Sequence, residues 1–444
     1  MLSKELRNRV DRIWDKIWAS GISNPLSAIE YFSTVLLLRR LAQPEEASLQ
    51  KSEANTKLVS QVLEAVKQED ASTIARLMAE LQTKYGLGAS PEIAAVSTWR
   101  EIGTLKEVIK EVWNLELTDR NHDILGDLFE YLLGHLSTAG HFGQFRTPRH
   151  LIKFIVEAVS PRPDETILDP ACGTGGFLIA AREYIGSDES CNYIGDEVDS
   201  TMARIARTNM ILHAAHQQTI IRNDDSLLTV EQDADVILAN PPFAGAVHPE
   251  RAAGFECDSR KTELLFIELM IRRLRAKGRA GVIIPTSVLT ARTKSAKWIR
   301  RQLLEKNHLQ AVVELPNGIF RPYTDVKTAI LFWTNDTPAV SILMIRVDQD
   351  GYSLDDRRQT IDNSDLPLAL EMIQGKDAAI PSACVSMEEI CSQDYNLLPS
   401  RYIVGGPPEQ DSLENRSVSE SIVAARQAIL DLSRKLQRLE KLVK

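Results

Sequence analysis

Residues from about 140 to 348 alternate short apolar runs with amphipathic segments, and this alternation restricts the fold of the 444-residue chain more than any other feature. Apolar runs separated by segments of helical periodicity are typical of strands joined by crossover helices. The pattern therefore predicts an α/β fold with a doubly wound sheet. Strands are expected at Thr166–Asp169, Tyr193–Glu197, Thr219–Arg222, Asp235–Asn240, Gly281–Pro285, Ala311–Leu315, Thr328–Trp333 and Ser341–Val347.

A glycine-rich turn follows the first of these strands, and it contains Gly173, Thr174, Gly175 and Gly176. Glycines have no Cβ, so the backbone can approach a bulky ligand closely. A dinucleotide site would need Gly or Ala where Leu178 stands, and the sequence contains no P-loop pattern. S-adenosylmethionine fits the requirement that remains.

Polar residues fall at or just after the ends of four strands, where ligands of open α/β sheets bind. Glu197 is expected to accept hydrogen bonds from both ribose hydroxyls of an adenosyl group, by analogy with dinucleotide folds. Asp225 is expected to contact the adenine amino group, with the adjacent Asp224 as a competing candidate. Asp169 is expected to orient the glycine turn or the methionine ammonium group.

Asn240-Pro241-Pro242-Phe243 ends another of the predicted strands and indicates the chemistry. An amino group on an aromatic ring is a poor nucleophile, because its lone pair is delocalised into the ring. The Asn240 oxygen and a neighbouring carbonyl can accept its two hydrogens, which localises charge on nitrogen during attack on a methyl sulfonium. Pro241 and Pro242 remove competing N–H donors, and Phe243 offers a ring face to an extruded base.

An isolated Asn-Pro-Pro-Phe is more simply interpreted as a turn at the end of a strand. Its position downstream of the glycine turn favours the catalytic interpretation, with Asn240 to Phe243 as the catalytic segment.

From about residue 120 to 403 the chain resembles the modification subunit of type I restriction-modification systems, a γ-class N6-adenine DNA methyltransferase. Six stretches occur in the order that this class shows. They are Gly143 to Arg149, the glycine turn from Asp169 to Phe177, Gly195 to Asp199, Asn240 to Phe243, Leu315 to Phe320, and Asp394 to Leu397.

The resemblance implies a segment that covers the cofactor and has one unusual position, Arg146, where an aromatic residue is frequent. The segment consists of Gln144, Phe145, Arg146, Thr147, Pro148 and Arg149. The resemblance also implies transfer of a methyl group from S-adenosylmethionine to N6 of a flipped adenine in double-stranded DNA. The implied partner is a specificity subunit in a complex with two modification subunits, and it stays open whether a restriction subunit joins them.

The chain is expected to form three domains. Residues 1–135 are predicted to be helical, because apolar residues such as Val10, Ile13 and Ile17 recur at helical spacing. Residues 136–404 would form a Rossmann-like S-adenosylmethionine-dependent methyltransferase domain. Residues 405–444 would form a linker and a C-terminal helix for subunit pairing, because apolar residues from Ile422 to Val443 repeat in steps typical of a coiled coil. The polar stretch from Gln349 to Asn363 is predicted to be a loop or insertion.

The net charge of −9 is unusual for a protein that would hold DNA, because Lys and Arg normally neutralise phosphates. Either the basic residues concentrate on one face or a partner binds the DNA. Two candidate patches stand out, although each could be the solvated face of a helix. They are Arg272, Arg273, Arg275, Lys277 and Arg279, and Arg292, Lys294, Lys297, Arg300 and Arg301.

Five scattered cysteines suggest neither a disulfide framework nor a zinc site, and they predict a reducing cytoplasm. Neither a signal peptide nor a membrane span is expected.

Three other functions stay open. A γ-class enzyme acting alone would need its own target-recognition domain, for which little sequence is left after the sheet. A protein or RNA methyltransferase could use the same nitrogen chemistry, and a non-catalytic assembly protein could retain the fold.

Overall fold

The computed structural model describes most of the chain, and Met1–Pro399 and Ser400–Lys444 form two separate compact units. The described residues are 3–22, 25–42, 53–87, 99–115, 125–126, 128–129, 131–133, 147–186, 190–213, 219–229, 233–243, 245–336 and 338–403. The predicted coiled-coil seam after residue 404 lies outside them. The predicted domain boundaries at 135/136 and 404/405 stay predictions.

Helices make up the described N-terminal part, as the periodicity predicts. They are α1 (Lys4–Ala19), α2 (Pro25–Ala42), α3 (Glu53–Gln68), α4 (Ala71–Lys84) and α5 (Trp99–Trp113). In α1 the apolar residues lie three and four positions apart, which brings Val10, Ile13 and Ile17 onto one buried face. Ser3 caps this helix by accepting a hydrogen bond from the Leu6 N–H.

A nine-stranded sheet follows, flanked by helices. Its strands are β1 (Thr166–Asp169), β2 (Asn192–Asp196), β3 (Thr219–Arg222), β4 (Ala234–Ala239), β5 (Leu274–Pro285), β6 (His308–Glu314), β7 (Thr328–Thr334), β8 (Ser341–Arg346) and β11 (Ser382–Ser386). The helices are α6 (Arg149–Val159), α7 (Gly176–Ile185), α8 (Ser200–Leu212), α9 (Pro249–Ala252), α10 (Thr262–Arg273), α11 (Ser287–Thr290), α12 (Lys294–Arg301), α13 (Leu366–Ile373) and α14 (Met387–Ser392). A π-helical turn, Gln302–Lys306, extends α12, and a 3₁₀ turn spans Pro399–Arg401.

The strand order β11-β8-β6-β7-β5-β4-β1-β2-β3 confirms the doubly wound arrangement. Strands β1 to β5 are parallel to their neighbours within that group, whereas β7 runs antiparallel to both β5 and β6. The chain moves outward to β2 and β3 on one side of β1 and to β4 and β5 on the other. The carboxyl ends of β1 and β4 therefore border the crevice in which ligands of such sheets bind.

All eight predicted strands occur, and two features of the sheet escaped the sequence interpretation. Strand β5 begins at Leu274 rather than Gly281, because its polar first half pairs with β4 and β7 despite having little apolar character. Strand β11 is short and mostly polar, and it pairs with β8 at the sheet edge. Pairing with a distant strand decides both cases.

The stretch from Gln349 to Asn363, predicted to be a loop or insertion, contains two short strands as well as a loop. Strands β9 (Asp350–Tyr352) and β10 (Thr360–Ser364) form an antiparallel hairpin there. Polar composition concealed it, because the buried group that anchors this hairpin is a carboxylate, Asp350, rather than an apolar side chain.

Helix α8 joins the two parts of the fold. Ile205, Ile211 and other residues on one face belong to the core of the N-terminal helices, whereas Ala206 and Met210 belong to the core beside the sheet. An ion pair between Arg204 and Glu30 of α2 reinforces the first contact. Among the described residues, no helix is both long and apolar enough to span a membrane.

Candidate active site

Asp169, the last residue of β1, is almost completely buried at the head of the glycine turn. Its Oδ1 accepts a hydrogen bond from the Ala171 N–H at 3.1 Å. Burial raises the pKa of Asp169 to about 8, and the nearby charges of Glu197 and Asp196 act in the same direction. A cationic ligand group at this position would stabilise the ionised form.

The glycine turn is supported by α8 on one side. The Asn209 side chain donates to the Thr174 carbonyl at 2.9 Å, and a Cβ added to Gly175 would lie 3.6 Å from the Met210 sulfur. Gly173 and Gly175 have φ of 53° and 81°, a region that L side chains rarely adopt. Apart from its neighbours in the chain, a Cβ added to Gly173 would meet no atom of the described residues within 4 Å. The backbone of the turn is therefore accessible at Gly173.

Glu197 follows β2 and is hydrogen-bonded to the turn. Its Oε2 accepts from the Gly173 N–H at 3.0 Å, and its Oε1 accepts from the Asp199 N–H at 2.8 Å. Burial raises the pKa of Glu197, and these backbone hydrogen bonds oppose the increase. Each carboxylate oxygen still has a second lone pair for another donor. The structure thus brings Asp169, the glycine turn and Glu197 together, as the sequence predicts.

Asn240 follows β4, and its amide is held on one side only. Its Nδ2 donates to Thr147 Oγ1 at 2.9 Å, whereas its Oδ1 is buried and has no hydrogen-bond partner among the described residues. Buried polar atoms are normally paired, because an unpaired one costs about 1–3 kcal/mol. Pro241 is buried and Pro242 is exposed beside it. Within the described part of the chain, the arrangement presents an oriented acceptor without a donor.

Phe243 is half-buried and lies against Phe320, with ring centroids 6.3 Å apart and an interplanar angle of 85°. Phe320 belongs to the segment from Leu315 to Phe320 that follows β6. This pair joins two of the sequence stretches on which the family resemblance rests. Edge-to-face packing stabilises the orientation of the Phe243 ring.

Asp225, predicted to contact the cofactor adenine, forms an ion pair with Arg251 at 2.5 Å and also caps the Leu227 N–H. The competing candidate, Asp224, is exposed and accepts a hydrogen bond from the Asp225 N–H. Hydrogen bonds, the largest from Thr229, lower the pKa of Asp224. Both residues therefore stay candidates for the contact with the cofactor adenine.

The predicted cofactor-covering segment is described from Thr147 onward. Thr147 is buried beside Asn240, Pro148 precedes the first turn of α6, and Arg149 is exposed. The other predicted members, Gln144, Phe145 and Arg146, lie outside the described residues. Their contribution to the site stays a prediction.

Asp196 is a buried acid that the sequence interpretation missed. It pairs with Arg222 at 2.6 Å and with Arg273 at 3.1 Å. Its carbonyl accepts the Cys172 N–H at 2.9 Å, which ties the glycine turn to β2. Its position directly before Glu197 was the available signal. Successive strand residues point to opposite faces of a sheet, so with Glu197 facing the ligand, Asp196 would face the other side.

Most of the basic residues in the two candidate patches are engaged within the fold. In the first patch Arg272 pairs with Glu268, Arg273 with Asp196, Arg275 with Asp235 and Arg279 with Glu165. In the second, Lys297 pairs with Asp394, Arg301 pairs with Glu305, and buried Arg300 donates to the Tyr395, Val288 and Ala291 carbonyls. These contacts favour structural roles and anchor the Asp394 to Leu397 stretch.

The sequence profile of the N-6 DNA methylase family matches residues 120–411, a range that contains the glycine turn, Glu197 and Asn240. The chain belongs to the N-6 DNA methylase family. The methylase subunit of the Escherichia coli type I restriction enzyme EcoEI is 34% identical over 255 residues, which cover 54% of this chain and 52% of that protein. This member of the N-6 DNA methylase family thus spans about half the length of the curated relatives that it matches.

Solved structures share the fold of this chain. A chain from a structure of the type I R-M system, solved for its complex assembly and conformational transition, is 24% identical with a TM-score of 0.72, and 99% of each chain is covered. The type I restriction-modification methyltransferase subunit from Streptococcus thermophilus is 21% identical with a TM-score of 0.71, covering 91% of this chain and 100% of that one. The predicted Rossmann-like methyltransferase fold with N-terminal helices is confirmed.

Proposed function

We propose that the chain methylates N6 of a flipped adenine in double-stranded DNA, with S-adenosylmethionine as methyl donor, as the modification subunit of a type I restriction-modification complex. The observation that carries this proposal is the Asn240 Oδ1, a buried and oriented acceptor without a donor among the described residues. An adenine amino group supplies the missing donor. Membership of the N-6 DNA methylase family supports the choice of substrate.

Asn240 activates the target nitrogen in this proposal. Accepting an N–H hydrogen bond at Oδ1 draws the lone pair back onto nitrogen, and Thr147 keeps the amide from turning away. The backbone beside Pro241 supplies the second acceptor, and Phe243 stacks on the base. S-adenosylmethionine supplies an electrophilic methyl group when bound. The methylated nitrogen then loses its proton to solvent, so the chain needs no general base.

The residues around the glycine turn fit such a cofactor. The open approach to Gly173 admits a bulky ligand, and Thr174, Gly175 and Gly176 continue the turn into α7. Each Glu197 carboxylate oxygen accepts one backbone N–H and has a second lone pair, which accepts a hydrogen bond from a ribose hydroxyl. Asp169 faces the cationic methionine part, which favours its ionised form. The 144–149 segment covers the cofactor, and Asp225 contacts its adenine, with Asp224 as the competing candidate.

A partner must contribute to DNA binding. The net charge of −9 opposes a polyanion, and many of the basic side chains in the candidate patches are used in ion pairs. We assign target recognition to a specificity subunit that joins two copies of this chain, with residues 405–444 as the pairing segment. A restriction subunit is a further candidate partner. We place the complex in the cytoplasm, in keeping with five cysteines that show no disulfide or metal-ligand spacing.

Asn240→Ala tests the chemistry. Tritiated methyl transfer to unmethylated host-type DNA should be abolished, while calorimetry should show the cofactor Kd within about twofold of the unaltered chain, because the residue acts on the target nitrogen. Asn307→Ala is the matched control, since Asn307 is also buried and hydrogen-bonded. It precedes the amino end of β6, whereas Asn240 follows the carboxyl end of β4. Near-normal methyl transfer by Asn240→Ala would refute the proposal. If the unaltered chain methylated RNA or protein instead of DNA, the proposed substrate would be wrong.

A further inference from the structure

The β9–β10 hairpin, residues 350–364, takes no part in the proposed chemistry, yet it contacts two segments that border the site. Its anchor is Asp350, whose side chain is completely buried and pairs with His150 and Arg358. The distance from His150 Nε2 to Asp350 Oδ2 is 2.8 Å. Burial alone would raise the pKa of Asp350, and the hydrogen bonds from His150 and Arg358 overcome it, so the pKa is lowered.

Tyr352 completes the cluster. The His150 ring stacks on it with centroids 4.5 Å apart, and the Arg358 guanidinium lies 5.5 Å from its centroid. The aromatic ring therefore lies against both partners of Asp350. His150 of α6 thus contacts both Asp350 and Tyr352 of the hairpin. These contacts fix the first turn of α6 against the hairpin.

This cluster reaches the catalytic segment through α6. His150 is in the first turn of that helix, only three residues after Thr147, whose hydroxyl holds the Asn240 amide. The Pro148 carbonyl between them accepts the Leu151 N–H at 3.0 Å. His150 and Thr147 are therefore held by one short segment at the start of α6.

The hairpin also contacts the segment that carries Phe320. A Cβ added to Gly318 would lie 2.7 Å from the Leu354 carbonyl oxygen, so only glycine permits this approach. Arg321 donates to the same oxygen at 3.5 Å. Phe320 lies between these two contacts in sequence and packs edge-on against Phe243.

The hairpin is well connected internally. Ser353 and Gln359 exchange hydrogen bonds of 2.7 Å and 2.8 Å, and Asp355 accepts from the Arg357 and Arg358 N–H groups. At its base the Asp365 side chain accepts from two backbone N–H groups, those of residues 348 and 349. Such a unit transmits a displacement from one contact to the other.

We infer that this hairpin is a brace that holds the Thr147–Asn240 and Phe320–Phe243 pairs at a fixed separation, with Asp350 as a positioning residue for methyl transfer. The inference rests on the proposed function, because it concerns the alignment of Asn240. Asp350 acts through His150 and Thr147 and does not contact the substrate. Its removal therefore lowers kcat and leaves cofactor affinity unchanged.

The test uses the full chain with its co-expressed DNA-recognition partner. In Asp350→Asn and in His150→Ala, kcat for methyl transfer should fall about 10-fold or more, with the cofactor Kd changed less than about twofold. His150 is partly exposed, and its replacement leaves Arg358 paired with the buried Asp350 carboxylate. His150→Gln should recover part of the loss, because its amide can donate to Asp350. Asp362→Asn, the same change at an exposed position of β10, should leave kcat unchanged.

A double-mutant cycle then separates positioning from general destabilisation. In a Thr147→Val background, Asp350→Asn should lower kcat by less than about twofold, because the path through Thr147 is already broken. Fully additive losses, or an unchanged kcat in Asp350→Asn, would overturn the inference. Equal losses of kcat and cofactor affinity would also overturn it. Inactivity of the unaltered complex, or full activity of Asn240→Ala, would instead count against the proposed function.

Discussion

Thr147→Val is the most direct probe of how the fold orients Asn240. The substitution retains the size of the buried side chain and removes the acceptor of the 2.9 Å hydrogen bond from Asn240 Nδ2. A buried donor left without a partner costs about 1–3 kcal/mol. This hydrogen bond favours the amide orientation that leaves Oδ1 to the substrate, so its loss lowers the population of the competent orientation by a corresponding factor.

A cost of about 1–3 kcal/mol corresponds to a decrease in kcat of about 5- to 150-fold. The cofactor Kd should change less than kcat, because the hydroxyl is engaged by Asn240. Single-turnover methyl transfer measures the first quantity and calorimetry the second.

Thr34→Val is the matched control, since Thr34 is also buried and bonded once, to the Glu30 carbonyl in α2. It should lose stability without a change in kcat. A kcat for Thr147→Val within about twofold of the unaltered chain would refute the argument.

Three further outcomes are expected. Gly173→Val and Gly175→Val should abolish cofactor binding in calorimetry. The control, Gly375→Val, changes another glycine of positive φ with open space around it and should lose only stability. Unchanged cofactor affinity in the first two variants would reject the site. Because burial raises the pKa of Asp169 to about 8, the folded apo chain binds a proton that the unfolded chain releases above about pH 4, so stability falls as the pH rises between these values. The Tm of Asp169→Asn should therefore depend less on pH between about 5 and 8, and equal slopes would contradict this. A chain ending at Ser417 should retain cofactor binding but fail to co-purify with the specificity subunit, and normal assembly would show that the removed seam is not the pairing segment.

Local patterns in the sequence were sufficient for most of the fold. Alternation of apolar runs with helical segments predicted eight strands to within three residues at every end except the start of β5, because periodicity depends on neighbouring residues. The glycine turn, Glu197 and Asn240 could be assigned to one edge of the sheet for the same reason, since residues at the carboxyl ends of adjacent parallel strands share that edge. Polar composition, in contrast, concealed β11 and the β9–β10 hairpin, whose pairing depends on distant partners.

The sequence by itself determined eight of the nine strands of the sheet, the ligand-binding edge and the residue types that meet there. Only the tertiary structure decided which of these groups are already engaged. Asn240 lies 93 positions from Thr147, and neither residue alone predicts an Asn240 Oδ1 that has no donor among the residues that the structure describes. His150 and Asp350, 200 positions apart, form a hydrogen bond for which neither local stretch gives a signal. Hydrogen bonds and ion pairs depend on separations of a few ångströms, and those separations exist only once the chain has packed.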